Sequence, residues 1–226
     1  MSDTQPSSWQ IHQTLTILLK ITLLIGAGLA LYQGRVQVAV ETLLILMITF
    51  LPLAIGRRFQ VKIPPEFELL ANVFLYAAIF LGEVHNYYVR FWWWDLVLHG
   101  GAGFLLGIFG FLLVYVLNEK DNIHVDLNPV FMALFAFTFA IAFGVLWEVF
   151  EFTMDQLFDL NMQKATVTDP SGLGDTMWDL IVNGVCALII SVLGYSYLRT
   201  NANDSFLENW INAFIRKNPG LFRKQQ

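Results

Sequence analysis

Ten ionisable side chains stand at the ends of apolar runs, and their order along the chain brings them together. Glu83 and His85 close one run, and Asp95 and His99 open the next. Glu148, Glu151 and Asp155 close another, and Asp175 and Asp179 open the one after it, while Glu41 lies near the start of an earlier run. Helices that cross a bilayer in succession alternate direction, so an end that closes one run and an end that opens the next share a leaflet. An ionisable residue inside a membrane costs roughly 2.5–3.5 kcal/mol on insertion scales, so such a set marks a candidate site.

The spacing aligns these groups in stripes. Asp95 and His99 are one helical turn apart, and Glu148, Glu151 and Asp155 follow at i, i+3 and i+7. Asp175, Asp179 and Asn183 are spaced by four. Carboxylates this close repel one another unless protons, the two nearby bases Arg90 and Lys164, or a bound cation relieve the charge. A mixed Asp/Glu/His shell suits a divalent zinc, manganese, iron or magnesium ion better than a soft metal. On that reading Asp95, His99, Glu151 and Asp179 are the metal ligands. Glu148 is the base that takes a proton from a metal-activated water. Glu83, His85, Asp155, Asp175 and Asn183 support them. The alternative is a hydrogen-bonded network that holds helix ends, with aspartates at helix starts favoured by the dipole.

Other chemistry finds less support. His12 and His124 belong to the opposite face and cannot join the cluster, and a haem between paired histidines would need His85 and His99. H-E-x-x-H, the phosphate-binding P-loop and G-x-S-x-G are absent. Pro170–Ser171–Gly172 resembles a membrane phosphatase triplet, but Leu173 stands where that motif needs histidine, so it is a decoy. The single Cys186 excludes an intrachain disulfide and a thiolate metal site.

The elements that position the cluster follow from composition. Of 226 residues 56% are apolar and only 14% charged, and mean hydropathy is +0.57, which places the chain among membrane proteins. Six runs approach the ~20 residues a spanning helix needs. They lie near Leu15–Leu31, Val36–Ile55, Phe67–Leu81, Asp95–Leu117, Val130–Thr153 and Thr176–Leu198, the third being short and carrying Glu68 and Asn72. The alternating strands of a barrel are absent. The expected fold is all-α: a polytopic bundle of six transmembrane helices over residues 1–200, plus a cytoplasmic amphipathic basic tail over 201–226. No cleavable signal peptide is expected, because Met1–Gln13 is polar and no small-residue cleavage site follows the first run.

Basic residues orient the bundle. With the N-terminus inside, the inner face collects nine: Arg57, Arg58, Lys62, Lys120, Arg199, Arg216, Lys217, Arg223 and Lys224. The outer face has three, Arg35, Arg90 and Lys164, while Lys20 lies inside the first run and can snorkel inward. This asymmetry places both termini in the cytoplasm and the acidic cluster on the outer side of a plasma membrane. Tyr87, Tyr88, Phe91, Trp92, Trp93 and Trp94 suit a membrane interface. The long connection Met154–Asp175 holds a loop over the DPSGLGD segment, the kind of connection that often serves as a lid. In the tail, Ser205 and Glu208 form a capping box for an apolar face running from Phe206 to Ile215, suited to an anionic leaflet or to a partner. The net charge of −5 argues against nucleic acid, so membrane lipids and a lipid or envelope substrate are the expected partners.

The stretches WWDLVLHGGAGFLLGIFGF (Trp93–Phe111), WEVFEFTMD (Trp147–Asp155) and DTMWDLIVNGVCA (Asp175–Ala187) resemble an uncharacterised bacterial inner-membrane family typified by YjdF. More distantly the chain is similar to VanZ-like proteins, whose D-x-x-x-H, later acid and D-x-x-x-N correspond here to Asp95–His99, Glu151 and Asp179–Asn183. The Gln and the basic residue usual after the VanZ-like acid are missing, so the resemblance implies architecture more than activity. Three functions stay open. They are a metal-dependent hydrolase of a lipid or envelope intermediate, a proton- or cation-coupled transporter, and a non-catalytic envelope assembly factor. The lack of an internal repeat disfavours the transporter.

Overall fold

An apolar backbone in lipid must satisfy its own hydrogen bonds, so long greasy runs fold as helices. The computed structural model describes residues 8–119, 126–200 and 206–221; Lys120, His124, Ser205, Arg223 and Lys224 lie outside the described residues. Among those described there is no strand. Six helices are long and apolar enough to cross a membrane: Gln10–Tyr32, Val38–Arg58, Pro65–Val84, Trp94–Asn118, Pro129–Phe158 and Leu173–Arg199. The protein is an all-α polytopic membrane protein. Its chain forms two compact units, Met1–Trp94 with Asn212–Asn218, and Asp95–Ile211 with Pro219–Gln226.

The first unit is built on α1 (Ser8–Tyr32), which packs against α2 (Val36–Ile48) and α4 (Pro65–Leu75). The second span is not one continuous helix. It breaks at Thr49 and Phe50, where the Thr49 hydroxyl donates to the Leu46 carbonyl, and resumes as α3 (Leu51–Phe59) with Pro52 in its first turn. The third span changes geometry, passing from α4 into a π-helical segment, Tyr76–Val84, that simple 3.6-residue periodicity does not reveal. Leu23, Ile45 and Phe80 form the buried centre of this unit. The third span keeps its acidic start because Glu68 pairs with Lys20 of α1 at 3.4 Å. A short helix, α5 (Tyr87–Arg90), follows, and Tyr87 packs edge-on against both Phe91 and Trp94.

The second unit contains α6 (Trp94–Glu119) from Asp95 onward, α7 (Pro129–Phe158) and α8 (Leu173–Thr200). Helix α7 starts where Asn128 accepts the Phe131 N–H and where Pro129, needing no donor, occupies the first turn. It runs to Phe158, a turn beyond the expected end at Thr153, so its 30 residues reach about 45 Å, more than the ~30 Å hydrocarbon core. Helix α8 likewise starts at Leu173, earlier than expected, because Asp169 and Ser171 accept the orphan N–H groups of Gly174 and Leu173. Gly103 lets α6 and α8 touch backbone to backbone, since a Cβ there would collide with the Asn183 carbonyl oxygen.

The tail helix α9 (Phe206–Lys217) ends at Asn218, whose side chain clamps the connection between α3 and α4. It accepts from the Lys62 N–H at 2.7 Å and donates to the Lys62 carbonyl at 2.8 Å.

Candidate metal centre

Three helix ends of the second unit build the site: the start of α6, the end of α7 and the start of α8. Asp95 and His99 rise from the first two turns of α6, one above the other, as their spacing requires. Asp179 comes from the second turn of α8, held close by the glycine-mediated contact at Gly103 and by Gly144 of α7, where a Cβ would press on the Asn183 amide at 3.0 Å. His99 Nε2 lies 3.7 Å from Asp95 Oδ1 and 3.7 Å from Asp179 Oδ2. One donor atom each from Asp95, His99 and Asp179 falls within a 4.8 Å span, and all three residues are buried.

These separations suit a shared cation. Metal–ligand distances of about 2.0–2.1 Å in a tetrahedral shell place neighbouring donors about 3.3–3.4 Å apart, so the observed gaps need only slight inward rotation. Asp179 is fully buried at 0% exposure, yet neither of its oxygens has a hydrogen-bond partner. Buried polar groups are normally paired, and an unpaired carboxylate in apolar surroundings is costly. Asn183, one turn further along α8, is also buried with its amide unpartnered.

Glu148 and Glu151 stand on the adjoining face of α7, both buried. Glu148 Oε1 is 3.7 Å from His99 Nδ1, on the opposite side of the ring from the two aspartates. That is the place from which a carboxylate fixes the tautomer and orientation of a ligating histidine. Glu151 is not one of the converging trio: its Oε1 accepts from Trp147 Nε1 at 2.8 Å, and its Oε2 has no hydrogen-bond partner.

Lys164 is the one basic side chain described at this cluster. Its ammonium pairs with Asp95 Oδ2 and lies 3.6 Å from Asp175 Oδ2. The charge count in the sequence identified Lys164 as a neutralising base, but its approach to Asp95 depends on the loop. Asp155 accepts from the N–H groups of Met162 and Gln163, at 2.7 and 3.0 Å. The Gln163 amide then donates to the Thr176 hydroxyl at 2.9 Å. Lys164 follows in a left-handed conformation, φ +44°, rare for a side chain of this size. Gly172 closes the loop at φ +68°, where a Cβ would strike the Gln163 carbonyl. Asp155 therefore anchors the loop that carries Lys164.

Glu83 and His85 belong to the first unit. His85 Nδ1 lies 3.0 Å from the Phe80 carbonyl oxygen, and its ring packs on Phe80 at 4.5 Å. Glu41 sits half-buried on α2 of the same unit. Outside the spans, Asp169 is held below the ordinary aspartate range, first by the Ser171 hydroxyl and then by the Gly174 N–H.

Residues 12–200 match a family described as a predicted membrane protein (DUF2238), and the chain belongs to that family. It is also similar to an uncharacterized protein of Thermotoga maritima, 33% identical over 123 residues, which cover 53% of this chain and 57% of the relative. The chain thus aligns with little more than half the length of that curated relative. No solved structure matches.

Proposed function

We propose that the protein holds a divalent cation between Asp95, His99 and Asp179 and uses it to hydrolyse a lipid or envelope intermediate at the outer face of a bacterial plasma membrane. The observation that carries this reading is the fully buried Asp179 carboxylate, without hydrogen-bond partners, converging with two other donors inside 4.8 Å. The donor set, two carboxylates and an imidazole, fits zinc, manganese or iron and, with added water, magnesium.

Such an ion, when bound, lowers the energy needed to deprotonate a water. The chain's own residues supply the rest. Asp95 and Asp179 hold charge against the ion from two helices, and His99 offers Nε2. Glu148 Oε1 orients that ring from Nδ1, and its Oε2, which has no hydrogen-bond partner, is our candidate to accept the proton. Glu151 stays tied to Trp147 and keeps the rim of α7 in register.

Metal content of detergent-purified protein tests the reading. Stoichiometric divalent metal in the parent, lost in Asp179→Asn and His99→Ala, is the expected result. A parent that neither carries metal nor binds added zinc or manganese overturns it. The orientation rests on the basic asymmetry of the sequence, with both termini cytoplasmic. In a Cys186→Ser background, an impermeant thiol reagent on intact cells should label Ser171→Cys and spare Asn122→Cys; the reverse pattern would invert the topology.

One observation favours a second reading, a cation-coupled carrier. Lys164 already places a positive charge on Asp95, as a mobile counter-charge would in an exchange with a transported ion. Metal-dependent turnover without ion flux in proteoliposomes separates the hydrolase from the carrier.

A further inference from the structure

The first unit has its own polar cavity, and its chemistry is opposite to that of the acidic cluster. A space of about 310 Å³ opens where α1 ends, α2 begins and the π-helical segment ends. Arg35, Arg90, His85, Gln33 and Asn86 line its polar part, and Leu29, Val38, Phe80 and Val84 are among the residues lining its apolar part. No carboxylate is among the residues that line it. Neither arginine is ion-paired to an acid among the described residues.

From this geometry we infer that the cavity binds a phosphate anion, with Arg35 and Arg90 as its two charged ligands. Arginine presents a planar fork of donors that matches phosphate oxygens two at a time, and it keeps its charge at any working pH. Two such forks around one cavity, with amide donors from Gln33 and Asn86 beside them, make a site for a compact phosphate oxyanion. The turns that carry these residues are fixed by the backbone. Asn86 adopts a left-handed φ of +57°, and the turn from α1 to α2 is closed by the Arg35 N–H donating to the Ala30 carbonyl at 2.8 Å. Gln33, Arg35, His85, Asn86 and Arg90 lie beyond the ends of the apolar spans, whereas Leu29, Val38 and Phe80 lie within them. A phosphate carried on an acyl chain fits both halves, whereas free phosphate fits only the first. This site is independent of the metal proposed for the second unit.

The test measures melting temperature of the detergent-purified full chain with three probes: phosphatidylglycerol, phosphatidylcholine and inorganic phosphate. The parent should be stabilised by phosphatidylglycerol well beyond phosphatidylcholine. The shift should vanish in Arg35→Gln/Arg90→Gln, shrink in Arg35→Lys/Arg90→Lys, and persist in Arg216→Gln/Lys217→Gln, which removes basic charge elsewhere. Stabilisation by inorganic phosphate as well, with the same arginine dependence, assigns the site to free phosphate and lipid alike; a response to phosphatidylglycerol alone assigns it to a lipid headgroup. If the parent shows no arginine-dependent shift with either anionic probe, the inference falls. Should the glutamine pair not fold, an undiminished response in the lysine pair overturns the forked-donor assignment.

Discussion

The Lys164 ammonium is ion-paired with the Asp95 carboxylate, so a loop between α7 and α8 supplies a positive charge to a helix that begins far earlier in the chain. Asp95 also offers its other oxygen to the converging trio with His99 and Asp179. Lysine and the proposed metal ion would therefore draw on the same carboxylate. Lys164→Met should raise the affinity for zinc or manganese about tenfold, the equivalent of ~1.4 kcal/mol. Isothermal titration of metal-stripped protein measures it. A weaker affinity in the variant would show instead that Lys164 holds the loop in a shape the site requires.

Conservative amide substitutions separate a metal centre from a hydrogen-bonded network by the sign of their effect. A ligand at a hundredfold excess over its Kd stabilises the folded state by about 2.7 kcal/mol, or roughly 5–10 °C for a chain of this size. Metal-loaded parent protein should melt higher than Asp179→Asn by that margin, and the difference should shrink or reverse after chelation, because the variant has one fewer buried carboxylate. Equal melting of loaded parent and variant would remove the metal from the account of the site.

Asp155 accepts two backbone N–H groups from the loop, at Met162 and Gln163. Hydrogen bonds to a charged acceptor contribute about 1.5–3 kcal/mol each, so Asp155→Ala should loosen the loop before it unfolds the helices. Amide hydrogen exchange at Met162 and Gln163 should accelerate while exchange in the middle of α8 stays unchanged. Uniform acceleration across α8 would show that Asp155 stabilises the whole unit.

Among the described residues, Asp169 carries a pH dependence outside the spans. Its carboxyl is held low by the Ser171 hydroxyl and then the Gly174 N–H, so its contribution is present above the carboxyl's unfolded pKa. It is lost as pH falls through the lower folded value. Ser171→Ala should move the Asp169 titration, followed by carboxyl NMR, back toward the ordinary aspartate range. An unchanged titration would assign the effect to the helix start alone. The group lies in the loop and caps the start of α8, so the change should be local to that helix end.

Much of the site was legible in the order of the chain. The i, i+4 pairs Asp95–His99 and Asp179–Asn183 state their own helix faces, and alternation of spans places the ends that carry them together. What resisted reading depends on contacts made after folding. Helix α8 starts at Leu173 because Asp169 and Ser171 cap it, and a loop's capping geometry is invisible to hydrophobic periodicity. Helix α7 continues past Thr153 because the Asp155 carboxylate finds its partners in the returning loop. The break at Thr49 and the π-helical turn ending at Val84 change the period itself, so a count of apolar spacing passes over both. The side of His99 on which Glu148 stands is set by ring orientation, which no spacing encodes.

The ion pair between Lys20 and Glu68 bears on how the molecule is made. Each residue puts a charge into an apolar span, Lys20 near the middle of Gln10–Tyr32 and Glu68 in the first turn of Pro65–Val84. Lys20 emerges from the ribosome first; the Phe50 ring of the second span lies 4.4 Å from its ammonium, and its acid comes only with the third span. The ammonium of the first span therefore gains its acidic partner only once α4 has been made. Biosynthesis of this fold has a built-in order: the opening helix waits for its acid.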